Sequence, residues 1–159
     1  MGLWSVLEHV HDPLGTMKII AELLKPGGYI FFGIPNYGSL ERKLFRSRWF
    51  GLDVPRHLYH FTPSTVRKLM SAAGFVPVQI LHASGHDTFK FSASNKRRNE
   101  YGQSGESSRM NRPDVKTAST ARSWRARLNG LVVGTFTRTA DMLHQGSQIL
   151  VTARKPSLP

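Results

Sequence analysis

The 159-residue chain contains no cysteine, so neither a disulfide framework nor a thiolate metal site can be built from it. Acidic residues are scarce: 10 Asp and Glu stand against 22 Lys and Arg, a formal charge of +12. No apolar run approaches the roughly 20 residues of a membrane-spanning helix. Met1-Gly2-Leu3-Trp4 carries neither the basic region nor the apolar stretch of a secretion signal, and the expected location is cytoplasmic. Half of the positive excess sits between Ser84 and Arg127, where ten basic residues meet four acidic ones. Phe89, Phe91, Tyr101 and Trp124 are not grouped there as a platform on which bases could stack. A solvated, mobile insertion is therefore expected in this segment, with a basic nucleic-acid-binding module as the alternative.

What is present is patterned most strongly between Trp4 and Asn36. Leu14, Met17, Ile20, Ala21 and Leu24 recur at helical spacing. Asp12 can cap the first turn of that helix, Pro13 suits its first position, and Pro26-Gly27-Gly28 ends it. Leu3 to Leu7 before it reads as a strand. Tyr29 to Ile34 after it is apolar without alternation, as in a strand covered on both faces. Strand, helix, strand of this kind predicts a parallel α/β unit with a right-handed crossover. In such sheets ligands bind beyond the C-terminal strand ends. Glu8 and His9 lie at the first of these ends, Pro35 and Asn36 at the second.

Tyr37 to Phe61 holds too many large apolar groups for a bare loop and is expected to fold over the sheet edge as a wall or lid. Ser39 to Phe45 can form a short helix with Leu40, Leu44 and Phe45 inward. Trp49, Arg56, His57, Tyr59 and His60 follow. His57 and His60 are three residues apart on no assured helix, so no metal is expected there. Thr62-Pro63 opens a helix that Gly74 closes, and Phe75 to His82 is a strand that Pro77 assigns to a sheet edge. Ser84 to Thr120 shows no period. Ala121 to His144 is helical, with Trp124, Leu128, Leu131, Val132, Phe136, Ala140 and Leu143 as its stripe. Gln148 to Ala153 is the last strand. Residues 1–83 thus form a core, 84–120 an insertion, and 121–156 the closing helix and strand.

Val6-Leu7-Glu8-His9-Val10 followed by Leu24-Lys25-Pro26-Gly27-Gly28 and Ile34-Pro35-Asn36 resembles the middle of a class I S-adenosylmethionine-dependent methyltransferase. Arg42-Lys43-Leu44-Phe45 and the run from Arg48 through Phe61 to Phe75 resemble a bacterial subgroup related to the ubiquinone O-methyltransferases, and Gly146 to Pro156 resembles its closing strand. The resemblance implies a Rossmann-like α/β sheet with strands in the order four-five-seven-six and the seventh antiparallel. It implies methyl transfer from S-adenosylmethionine to an oxygen or nitrogen of a small molecule. Leu7, Glu8 and His9 would lie on the donor side, and Asn36, Trp49, Arg56 and Tyr59 on the substrate side. His57 and His60 are its candidates for catalytic base. Some ubiquinone O-methyltransferases bind a divalent cation through Glu-x-x-Glu-His; this chain has Ser5 at the first Glu position, and no metal is expected. The glycine-rich turn and ribose-binding acidic residue of the family are absent. Gly102-Gln103-Ser104-Gly105 and Gly130 to Gly134 do not replace them. The expectation is a C-terminal half-domain without the first three strands, binding the donor weakly or not at all. It would associate with itself or with a separately encoded N-terminal half through the strand at 3–7, or be an inactive truncated remnant.

Overall fold

A computed structural model describes residues 1–94 and 121–157; side chains are described for these except at 86, 94 and 121–129. Residues 95–120 of the insertion expected to be mobile lie outside the described residues. Four strands form one mixed sheet: β1 (Gly2–Trp4), β2 (Tyr29–Pro35), β3 (Val76–Ala83) and β4 (Gln148–Arg154). Their spatial order is β1-β2-β4-β3, with β1 parallel to β2 and β4 antiparallel to both neighbours. The helices are α1 (Pro13–Leu23), α2 (Leu40–Phe45), α3 (Pro63–Ala72), α4 (His86–Ser94) and α5 (Ala121–Met142). Two 3₁₀ turns, Arg46–Arg48 and Phe50–Leu52, lie between α2 and α3.

The local signals act as the sequence suggests. The Asp12 carboxylate accepts the Gly15 N–H at 2.9 Å, and Pro13 opens α1. Thr62 and Thr65 form a reciprocal capping box at the start of α3, and Gly74 leaves that helix at φ 82°, a conformation that costs any residue with a Cβ. α1 and α3 cover one face of the sheet. Met17 and Ile20 from α1, Val66 and Met70 from α3, Ile30, Phe32 and Ile34 from β2, and Ile149, Val151 and Ala153 from β4 share a single core.

Five expectations are corrected. β1 stops at Trp4, because Ser5 turns to φ 50° and the chain folds back through the His9 N–H to Val6 carbonyl bond of 3.0 Å. β2 alternates: Ile30, Phe32 and Ile34 are buried, whereas Phe31 is 43% exposed and stacks on the more open Trp4. Among the described residues, that face of β1 and β2 has no helix over it. In α2 the buried residue is Glu41, and Leu44 points outward. Residues 86–94 are helical, where no period was visible; Phe89 wedges between Phe45 and Phe136 at ring separations of 5.0 and 5.1 Å. On α5 the inner face runs through Val133, Thr137 and Ala140, leaving Leu131, Val132 and Leu143 exposed. β3 is the edge strand, as Pro77 requires, and its ladder shifts register between Pro77 and Gln79.

His82 near the end of β3 carries a buried Nδ1 with no hydrogen-bond partner among the described residues and packs edge-on against His144 at 5.5 Å. Burial, and next the charge on His144, push its pKa below the ordinary imidazole value of 6.5; Asp141 opposes the shift. A His whose folded-state pKa is lowered favours the neutral form in the fold. Its contribution to stability is complete above about pH 6.5 and is lost as the pH falls from there toward the folded value. Melting curves at pH 8 and pH 5 should show a smaller acid-induced loss for His82→Gln than for the native chain.

Candidate functional site

β1 and β2 run parallel, so their C-terminal ends open on the same side. A pocket of ≈ 240 Å³ lies there. The turn after β1 contributes Ser5, Glu8 and His9, and the end of β2 contributes Pro35. The loop through the second 3₁₀ turn adds Trp49, Phe50, Gly51, Asp53, Arg56 and His57. Thr88 of α4 and Ser147-Gln148 at the start of β4 close the far side. The loop is pinned to the turn: the backbone N–H groups of Leu58 and Tyr59 both donate to the Glu8 carbonyl, at 2.7 and 3.3 Å. Arg56 pairs with the buried Asp53 at 2.6 Å.

The chemistry concentrates at Glu8, His9 and His57. Glu8 is 1% exposed, and neither of its carboxylate oxygens has a hydrogen-bond partner among the described residues. An ionised group buried without a partner is costly, so this one points to a ligand that completes it. His9 Nδ1 lies 2.9 Å from the Arg56 carbonyl and His57 Nδ1 lies 2.8 Å from the Gly51 carbonyl. A carbonyl only accepts, so each Nδ1 carries a proton and Nε2 is the nitrogen left for a further partner; His57 Nε2 lies 4.0 Å from the Asp53 carboxylate. The two rings meet edge to face at 4.7 Å. One ligand atom from each of Glu8, His9 and His57 lies within 4.8 Å of the others. The lone pairs on these groups can accept a proton, accept hydrogen bonds, or hold a cation.

Of the residues expected at the site, Glu8, His9, Trp49, Arg56 and His57 line the pocket. The other four are placed elsewhere. Leu7 is fully buried in the core. Asn36 braces the strand end, donating to the Gly146 carbonyl at 2.8 Å and accepting the Gly38 N–H at 3.0 Å. His60 donates from Nε2 to the Leu52 carbonyl at 2.9 Å and packs on Tyr37, which holds the loop. Tyr59 is exposed, with its hydroxyl donating to the His11 carbonyl at 3.0 Å. Thr88 and Ser147 went unnoticed in the sequence. Behind them Glu41 accepts from Ser92 at 2.7 Å and from Thr88 at 3.3 Å. Burial raises the Glu41 pKa above the ordinary carboxyl value, and the hydroxyls of Ser92, Thr88 and Ser147 hold it down in part.

A mixed Rossmann-like sheet with a ligand pocket beyond its parallel strand ends is the architecture of the α/β methyltransferases. Residues 1–80 match the Methyltransferase domain family, and the chain belongs to that family. A ubiquinone biosynthesis O-methyltransferase of Nitrosospira multiformis is 53% identical over 32 residues, 20% of this chain and 13% of that protein. A malonyl-[acyl-carrier protein] O-methyltransferase of a Marinomonas species is 34% identical over 53 residues, 33% of this chain and 19% of that protein. The crystal structure of a Thermotoga maritima S-adenosylmethionine-dependent methyltransferase superposes with a TM-score of 0.53 at 15% identity. It covers 97% of this chain and 54% of its own. The chain therefore spans about half of that solved relative and a smaller share of the two curated ones. S-adenosylmethionine is the methyl donor of this class. No helix among the described residues is long and apolar enough to cross a membrane.

Proposed function

We propose that this chain carries the acceptor side of an S-adenosylmethionine-dependent methyltransferase acting on an oxygen or nitrogen nucleophile of a small molecule. The observation that supports it most is the pocket beyond β1 and β2, where the Glu8 carboxylate, unpartnered among the described residues, lies within 4.8 Å of a ring nitrogen of His9 and of His57. The donor supplies an electrophilic methyl group. A neutral hydroxyl or amine that takes up a methyl must release its proton. His57 Nε2 is placed to receive that proton, and the Gly51 carbonyl holds the required tautomer. Trp49, itself buried, and Phe50 form an apolar wall that keeps water from the reacting pair.

The residues present do not make a complete donor site. Among the described residues there is no glycine-rich strand-to-helix turn and no acidic strand end to take a ribose. On this reading β1, β2, β4 and β3 correspond to the family's fourth, fifth, seventh and sixth strands, and the adenosine contacts belong to a strand–turn–helix outside these residues. The open outer edge of β1 and the exposed Trp4, Tyr29 and Phe31 are where that segment, or a second copy, would dock. The test is to combine the purified chain with the donor-binding half of a related methyltransferase and follow labelled methyl transfer to a panel of phenols and amines. Transfer that needs both pieces supports the reading; a folded, associated pair that transfers nothing to any of them counts against it.

The unpartnered Glu8 oxygens favour a second reading of the same trio. A divalent cation fits a donor set of one carboxylate and two imidazoles, each imidazole oriented by an Nδ1–H to carbonyl bond. Such a cation acts as a Lewis acid that lowers the pKa of a bound hydroxyl. Two nitrogen donors favour Co²⁺ or Zn²⁺ over Mg²⁺. Titration with Co²⁺, followed by its visible absorption, separates the readings: a stoichiometric spectrum lost in Glu8→Met supports the cation, and no spectral change leaves His57 as the base.

A further inference from the structure

The far end of the pocket has a polar cluster that the reading above does not use. Glu41 is 2% exposed, and no Lys or Arg forms an ion pair with it among the described residues. Its Oε1 lies 2.7 Å from Ser92 Oγ and its Oε2 3.3 Å from Thr88 Oγ1. Thr88 Oγ1 is also 2.7 Å from the Gly85 carbonyl and 3.3 Å from Ser147 Oγ. Ser147 Oγ lies 3.5 Å from the Ala83 carbonyl, and Ser92 Oγ lies 2.9 Å from the Thr88 carbonyl. Each hydroxyl has one proton to give. With Glu41 ionised, the three hydroxyl protons of Thr88, Ser92 and Ser147 face five oxygens that can only accept: both from Glu41 and the carbonyls of Ala83, Gly85 and Thr88. The backbone N–H groups of Phe50 and Gly85, 3.0 Å from Ser92 Oγ and 3.4 Å from Ser147 Oγ, add donors to the hydroxyls and none to the carboxylate.

The hydroxyl protons are therefore drawn inward, toward Glu41 and the carbonyls. Of these three hydroxyl residues, Thr88 and Ser147 line the pocket, and they turn lone pairs to a ligand. A carboxylate without a counter-cation behind them adds negative potential, which acts over this distance more strongly in a buried site than in water. A ligand that donates hydrogen bonds or carries positive charge completes such a cluster, and a carboxylate ligand is repelled by it.

We propose that Thr88 and Ser147, held by Glu41, form the selectivity end of the pocket, taking the methyl acceptor by a hydrogen-bond-donating head group, an amine or a hydroxyl, and rejecting a carboxylate. The proposal rests on this pocket being the acceptor site. Glu41 acts through the two hydroxyls and is a positioning residue.

Two probes with one skeleton and opposite heads test it: 2-phenylethylamine and phenylacetate, neither carrying a hydroxyl, titrated into the ¹⁵N-labelled 159-residue chain. The amine should bind at least about tenfold tighter, with shifts at the Thr88 and Ser147 amides. Glu41→Gln should erase most of that preference while melting at the same or a higher temperature, because the amide is cheaper to bury than the carboxylate. Thr88→Val, nearly isosteric, should weaken 2-phenylethylamine binding and leave phenylacetate unchanged; it decides the matter if Glu41→Gln fails to fold. Equal or tighter binding of phenylacetate, no binding of 2-phenylethylamine, or a preference that survives the substitutions overturns the proposal. Methyl transfer does not enter this test. The selectivity can fail while the labelled-methyl experiment succeeds, and the reverse.

Discussion

Glu8→Met should make the metal-free chain more stable and, on the cation reading, remove Co²⁺ binding as well. Both oxygens of the native carboxylate are buried and have no hydrogen-bond partner among the described residues. An unsatisfied buried polar group costs about 1–3 kcal/mol, and more when charged. Methionine has a similar length, no charge, and enough freedom to fill the space. A gain of about 1–3 kcal/mol is the expected result, read from denaturant titrations at equal slope. Affinity for Co²⁺ should fall at least about 100-fold, since even loss of a group that only orients a ligand costs 10–100-fold. His9→Gln should lower cation affinity too but leave stability nearly unchanged, because the His9 ring is solvent-exposed and its Nδ1 already has a partner in the Arg56 carbonyl. A destabilised Glu8→Met chain would mean that Glu8 supports the fold through a contact the described residues do not contain.

Phe32→Ala should cost about 3–5 kcal/mol, the usual range for deleting a buried aromatic side chain. Phe32 is fully buried at the centre of β2, opposite Val151, and shares the core with Met17 and Met70. Domains of this kind are stable by about 5–15 kcal/mol in all, so the variant should melt far below the native chain or fail to show a cooperative transition. Phe31→Ala, one residue away, is the control. Phe31 is half-exposed on the opposite face and touches Trp4. Its loss should cost less than about 1 kcal/mol in the isolated chain. If a partner segment covers that face, the cost should grow once the partner is bound.

The same contrast explains what the sequence could tell. Caps and stops were legible because they act within a few residues: Asp12 on Gly15, Thr62 with Thr65, Gly74 after α3. The two strands flanking α1 were legible as a pair, but not that one face of β2 is bare. Phe31 and Phe32 look alike to a hydropathy pattern, and only the position of the helices separates them. α4 stayed hidden because its apolar contacts, Phe45 and Phe136, lie 44 and 47 residues from Phe89. In α2 the pattern favoured Leu44 for the interior, whereas Glu41 is buried because hydroxyls from α4 and the start of β4 meet it there. Within the site, Glu8 and His9 were legible from their place at a parallel strand end, and Trp49, Arg56 and His57 from the apolar-rich loop expected to fold over it. His60 and Tyr59 carry the same chemistry in the sequence and differ only in which carbonyl their polar atom reaches. Thr88 and Ser147 had no local signal, since a hydroxyl becomes part of a pocket only when distant segments converge.

The central claim, that the pocket beyond β1 and β2 is one side of a methyltransferase active site, is tested most directly by titrating S-adenosylmethionine into the ¹⁵N-labelled chain and mapping the amide shifts. The account predicts small shifts confined to the turn from Ser5 to Val10 and the loop around His57, with no saturation below about millimolar concentration, some 4 kcal/mol of binding. The directed contacts to the ribose are not among these residues. Saturation at low micromolar concentration would show a complete donor site within the chain, and shifts centred on β3 and α5 would place the ligand at the opposite edge of the sheet; either result contradicts the account.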